Sequence, residues 1–167
     1  MKKAAFIAVL LLLVFSCEQT TQQKPEGKRG LVVDKAMVVS AHPLASEVGK
    51  NILKQGGNAV DAAIATQFAL AVVYPGAGNI GGGGFMVSRM ANGETATLDY
   101  REKAPLAGGR DMYLDDNGEV IPNASVRGHL AAGVPGTVAG LEAAHKKYGK
   151  LNWAELVQPT IDIAANG

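Results

Sequence analysis

A single cysteine, Cys17, stands among 167 residues, so the chain has no internal disulfide to form. Aromatic residues are scarce, at 5%. Neither sign of charge dominates: 16 basic residues against 15 acidic ones give a formal net charge of +1, with no basic stripe and no acidic tail. That balance excludes the electrostatic footprint of a nucleic-acid binder. His42, His129 and His145 are scattered, and neither His-x-x-x-His nor Cys-x-x-Cys spacing occurs, which argues against a zinc site. Ser40, Ser46 and Ser125 lack the Gly-x-Ser-x-Gly elbow of a hydrolase nucleophile. No internal repeat or low-complexity tract appears.

What the chain has in quantity is glycine, 21 residues, nearly twice the ordinary share of about 7%. With 47% hydrophobic residues, the composition suits a folded protein rather than a disordered or collagenous one. Backbone geometry therefore matters here as much as side-chain packing.

At the N-terminus, Lys2 and Lys3 precede twelve apolar residues, Ala4 to Phe15, and then Ser16 and Cys17. Twelve is short of the roughly 20 residues that cross a bilayer, but it fits the apolar region of a secretory signal. Residues 1–16 are therefore read as an export signal, and the protein as placed in a bacterial periplasm or cell envelope. Val14-Phe15-Ser16-Cys17 resembles a lipoprotein box, which would make Cys17 the lipid-attachment residue and the membrane a partner. An ordinary secretory signal with an incidental cysteine is the alternative. Residues 17–29, rich in Gln, Thr and Lys, read as a flexible tether.

Residues 30–167 carry the folded part. Leu31 to Val33 and Met37 to Ala41 read as strand, turn and strand. Leu44, Val48 and Ile52, with Ala45, Gly49 and Leu53 beside them, predict a half-buried helix that starts at Pro43 and stops at Gly56-Gly57. Asn58 with Asp61 predicts the N-terminus of a second helix to Tyr74, so poor in polar residues that it needs cover on most sides. Phe85 to Met90 and Thr95 to Tyr100 read as a hairpin around Ala91-Asn92-Gly93-Glu94. A further turn is expected at Asp115 to Gly118. Thr137 is expected to cap a helix ending at Gly149, and Asn152 with Glu155 another that Pro159 interrupts or restarts. Helices and strands mixed without regular βαβ alternation point to an α+β or layered α/β architecture.

Two features carry possible chemistry. The loop from Pro75 to Gly84, PGAGNIGGGG, has glycine at six of the nine positions after the proline. Its N–H groups could cradle an anion, or its glycines could let a turn pass close to other backbone. It is neither a P-loop nor a Rossmann fingerprint, because a strand follows it instead of a helix. Arg101, in LDYREKAP at a strand end, presents a fork that could hold a carboxylate through two parallel hydrogen bonds, or could pair locally with Asp99 or Glu102. His42 and His129 read as hydrogen-bonded structural residues, and His145 as part of a solvated face with Lys146 and Lys147.

Taken together, AHPLAS (residues 41–46), GGNAVDAAIA (56–65), IGGGGFMV (80–87), LDYREKAP (98–105), RDMYLDD (110–116) and GVPGTVAGL (133–141) closely resemble the start of the large subunit of γ-glutamyltranspeptidases. The resemblance implies an N-terminal-nucleophile hydrolase with an αββα sandwich, incomplete in this chain, that uses no cofactor. In that family a precursor cleaves itself to free a threonine, which attacks the γ-glutamyl carbonyl of glutathione and related compounds. The group then passes to water or to an amino-acid or peptide acceptor. The family's arginine that holds the glutamate α-carboxylate matches Arg101 in its DYRE setting. Its nucleophilic threonine, processing site and oxyanion-hole glycines belong to a small subunit, the heterodimer partner, and have no match here. The chain is accordingly expected to be the N-terminal part of the large subunit and to be inactive alone. A cephalosporin acylase of the same superfamily, cleaving a glutaryl group, and a non-enzymatic small-ligand-binding lipoprotein are the competing readings.

Overall fold

The computed structural model describes residues 30–167; the signal, Cys17 and the tether lie outside the described residues. Residues 30–34, the described end of the first unit, are exposed and form no strand. All the regular elements belong to the second unit, Lys35–Gly167.

The first helix, α1 (Pro43–Lys54), starts where the residues suggest. Pro43 occupies the first turn, the His42 Nδ1 accepts a hydrogen bond from the Leu44 N–H at 3.3 Å, and Gly56 beyond the end takes φ +95°. Its buried face is Ala45, Val48, Gly49 and Ile52, whereas Leu44 is exposed, so the stripe is rotated slightly from the expected one. The expected strands at Leu31 to Val33 and Met37 to Ala41 do not form. A strand needs a ladder partner, and none pairs with these residues among the described residues.

Helix α2 (Ala59–Val73) is the centre of the unit. Asn58 Oδ1 accepts from the N–H groups of Val60 and Asp61 at 2.8 and 3.0 Å, while Asp61 Oδ2 accepts from the Asn58 N–H at 2.9 Å. This reciprocal box satisfies donors that a helix start otherwise leaves orphaned. Asp61 is fully buried and also accepts from the Lys150 N–H at 3.1 and 3.2 Å, and Asn58 Nδ2 donates to the Tyr148 carbonyl at 2.6 Å. A buried carboxylate is costly unless hydrogen-bonded, so these bonds weld the start of α2 to a distant loop. Val60, Ile64, Ala65, Phe68 and Ala69 are buried, but Ala63 is exposed and the last turns are half-buried. The cover expected for this helix is thus present on part of its circumference.

Strands β1 (Phe85–Arg89) and β2 (Thr95–Asp99) form an antiparallel hairpin in which Val87 faces Thr97. Gly93, at φ +87°, makes the turn that an L side chain would strain. Met86 and Leu98 point into the core, while Phe85 and Val87 on the other face are 65% and 81% exposed.

Two further helices close the inner face. Helix α3 (Thr137–Tyr148) buries Leu141 and Ala144, and α4 (Trp153–Asn166) buries Leu156 and sets Trp153 edge-on to Phe68 at 5.5 Å. Pro159 does not interrupt α4, contrary to expectation. Its missing N–H leaves the Glu155 carbonyl without a helical donor, but Leu156 and Thr160 are buried around it, and that packing outweighs the loss. Glu155 does accept from the Asn152 N–H at 2.8 Å, as a capping residue should. His145 lies on no solvated face: its Nε2–H donates to the Leu151 carbonyl at 2.8 Å, and its ring meets Trp153 at 5.3 Å.

Candidate functional site

The site is built where β2 ends and the glycine-rich loop meets the start of α3. Tyr100 follows β2 directly, and its N–H donates to the Gly84 carbonyl at 3.0 Å, extending the hairpin by one bond. Three residues on, Lys103 and Val134 exchange both backbone hydrogen bonds, at 3.1 and 2.7 Å. The strip Tyr100-Arg101-Glu102 therefore runs between two anchored points, one on the glycine loop and one on the segment leading into α3.

Glycines make that passage possible. A Cβ on Gly83 would lie 2.6 Å from the Arg101 Cα, and one on Gly136 would overlap the Tyr100 carbonyl. A Cβ on Gly140 would overlap the Tyr100 ring itself. None of these three has positive φ, so the requirement is close approach rather than unusual backbone geometry. Of the two readings open for the loop, the described contacts favour a wall that lets backbone pass, with no anion cradle needed to explain its glycines.

Gly82 adds a second function to the loop. Its carbonyl accepts from the N–H groups of Gly136 and Thr137 at 2.7 and 3.1 Å, satisfying donors at the start of α3. Thr137 is for that reason the first residue of the helix and not its cap; Gly136 holds the cap position. The Thr137 hydroxyl turns away and donates to Asn79 Oδ1 at 2.6 Å.

Arg101 emerges from this slot with its side chain 67% exposed. Its Nε lies 3.9 Å from Glu102 Oε1, beyond hydrogen-bond distance, and Asp99 uses its carboxylate on the Arg101 backbone N–H at 3.0 Å. An exposed ion pair of that length stabilises by about 0–1 kcal/mol, so the guanidinium is left largely uncommitted. It borders an open cleft of about 280 Å³ shared with Asp99, Tyr100, Lys103, Pro135 and Ala139. Burial pushes the Tyr100 phenol up from its ordinary range, keeping the ring beside the cleft neutral.

The remaining sequence candidates are dispersed. His42 caps α1, His145 is tied to Leu151, and His129 sits in a short 3₁₀ turn, His129–Ala131. Among the described residues no three His, Cys, Asp or Glu side chains gather as metal ligands would. Sequence reasoning singles out Arg101 and the glycine loop and reads Thr137 as a helix cap, but it does not reach the bond between Asn79 of the loop and Thr137.

Residues 45–167 match the family described as Gamma-glutamyltranspeptidase. The chain is 50% identical over 171 residues to a glutathione hydrolase proenzyme of Pseudomonas sp. strain A14, covering 100% of this chain and 29% of that protein. It spans less than a third of the length of the curated relatives it matches. The crystal structure of Helicobacter pylori gamma-glutamyltranspeptidase superimposes with a TM-score of 0.76 at 56% identity, over 82% of this chain and 39% of that one. A cephalosporin acylase from Bacillus halodurans is more distant, with a TM-score of 0.68 and 31% identity over 87% of this chain and 27% of that one.

Proposed function

From the fact that the chain belongs to the γ-glutamyltranspeptidase family, we propose that it supplies the carboxylate clamp of a γ-glutamyl transfer enzyme, with Arg101 as the clamp. The observation that carries this reading is a guanidinium held at its backbone on both sides, largely unpaired, beside an open cleft. A planar fork of this kind fits the two oxygens of an α-carboxylate. Glutathione and related γ-glutamyl compounds are the substrate class, and water or an amino-acid acceptor receives the group. The threonine nucleophile belongs to the partner subunit from the same precursor and has no counterpart among these 167 residues. Purified 1–167 should accordingly leave a γ-glutamyl anilide uncleaved, and hydrolysis above the uncatalysed rate would overturn the division of labour.

Binding tests the clamp itself. L-Glutamate titrated onto the chain should shift the Arg101 Nε–H resonance, and Arg101→Ala should weaken binding roughly 10- to 100-fold, since hydrogen bonds to a charged group contribute about 1.5–3 kcal/mol. Equal affinity for glutarate, which lacks the α-amino acid arrangement, would favour the acylase reading supported by the more distant structural neighbour. Export with lipid attachment at Cys17 rests on the Lys2-Lys3, apolar-run and Ser16-Cys17 pattern. Loss of radiolabelled palmitate from a Cys17→Ala protein expressed in a bacterial host is its test, and unlabelled wild-type protein would sink it.

A further inference from the structure

Asn79 sits inside the glycine loop, where its Nδ2 donates to the Ala77 carbonyl at 3.4 Å and its Oδ1 carries one bond that no loop turn requires. Its Oδ1 accepts from the Gly82 N–H at 3.0 Å and from the Thr137 hydroxyl at 2.6 Å, the latter from a residue 58 positions along the chain. Gly82 returns its carbonyl to the N–H groups of Gly136 and Thr137. Four hydrogen bonds thus close a ring between the loop and the first turn of α3. Thr137 is fully buried, so its hydroxyl has no water to replace Asn79.

This ring sets the spacing of the slot that Arg101 leaves. Gly83, next to Gly82 of the ring, is one wall, and Gly136, itself a member of the ring, is the other. With no side chain on either wall, the separation is set by the ring together with the backbone bonds that tie Tyr100 to Gly84 and Lys103 to Val134. The N–H groups of Tyr100 and Lys103, bonded to Gly84 and Val134, report the width of the slot on either side of Arg101.

We propose that Asn79 is a positioning residue for Arg101, acting through Thr137 and Gly82 to hold the two glycine walls at the separation that fixes the direction of the guanidinium. The proposal rests on the reading of Arg101 as a carboxylate clamp and adds the device that aims it. Asn79 is not among the residues that line the cleft and acts only through Gly82 and Thr137.

Amide hydrogen exchange on the full 167-residue chain, with L-glutamate as the binding probe, tests it in four proteins: wild type, Asn79→Ala, Thr137→Val and Thr137→Ser. Leaving a buried polar group unpaired should speed exchange at Tyr100 and Lys103 roughly tenfold in Asn79→Ala and Thr137→Val. Exchange at Ile64 and Leu141 should stay unchanged, and L-glutamate affinity should fall by a similar factor. Thr137→Ser, which keeps the hydroxyl, should behave as wild type in both measurements. Unchanged exchange at Tyr100 and Lys103, uniform acceleration across α2 and α3, or failure of Thr137→Ser to restore would each overturn the proposal. Failure of the wild-type chain to bind L-glutamate would instead overturn the clamp reading, while the exchange pattern still decides whether Asn79 sets the slot.

Discussion

The helical half of the molecule and the half made of hairpin and loops are held together by different means. In the helices, Ile52, Ile64, Leu141 and Leu156 are completely buried, and cohesion comes from apolar area removed from water. Between Tyr74 and Gly136 almost every side chain is half-buried or exposed, with Ala124 the exception. There the backbone is held by hydrogen bonds and by glycines that admit a neighbouring strand. On the proposed reading of Arg101 as a carboxylate clamp, the first half provides stability and the second provides aim. A clamp side chain must be free to meet its ligand, so its position is better fixed through the main chain than by burying the side chain itself.

Substitutions should separate the two halves. Ile64→Ala, in the centre of α2, should lower the unfolding free energy by about 2–5 kcal/mol through lost burial and the cavity left behind, as read by urea titration. A smaller loss would mean that the partly covered helix relaxes into the space. Gly140→Ala should cost about 1–3 kcal/mol by driving a methyl into the Tyr100 ring, and it should also alter tyrosine fluorescence. If Gly140→Ala changed stability without changing Tyr100, the two halves would not be coupled at this point. Arg101→Ala should move the unfolding midpoint by less than the equivalent of about 0.5 kcal/mol, because the ion pair it removes is long and exposed. A large destabilisation would make Arg101 a structural residue and break the contrast.

The smallest effect concerns acid. Asp115 is held below the usual carboxylate range by the backbone N–H groups of Glu119 and Asn117, at 3.0 and 2.9 Å. A depressed folded value means that its contribution is present above the ordinary value of about 3.9 and is lost as pH falls through the lowered one. Asp115→Asn should therefore flatten a slight acid dependence of exchange in the turn at Asp115 to Gly118. The helical core should show no change in that window.

Local signals in the sequence were reliable wherever the structure satisfied itself locally. Asn58 with Asp61, Pro43 at the start of α1, and Asn92-Gly93 in the hairpin all form what their spacing predicts, because each is satisfied within a few residues. The apolar runs before α1 have β propensity, but a strand is a relation between two segments, and propensity cannot supply the second. Pro159 misled for the converse reason: packing around Leu156 and Thr160 overrode a local preference. Arg101, the proposed clamp, stands out through the resemblance of its DYRE setting, whereas Asn79 does not, since an asparagine among glycines reads only as a turn. Its importance arises from Thr137, 58 residues away, and from the buried surroundings of that hydroxyl.

The link between Asp61 and the Lys150 N–H has a consequence in time. The two residues are 89 apart, so the start of α2 is written early in synthesis while its last hydrogen-bond donor is written late. A growing chain that has exposed all of α1 and α2 still holds a carboxylate without its full complement of partners. It must keep that end hydrated until the loop after α3 emerges. The last of the bonds that hold the start of the central helix can therefore form only after the loop following α3 has been made.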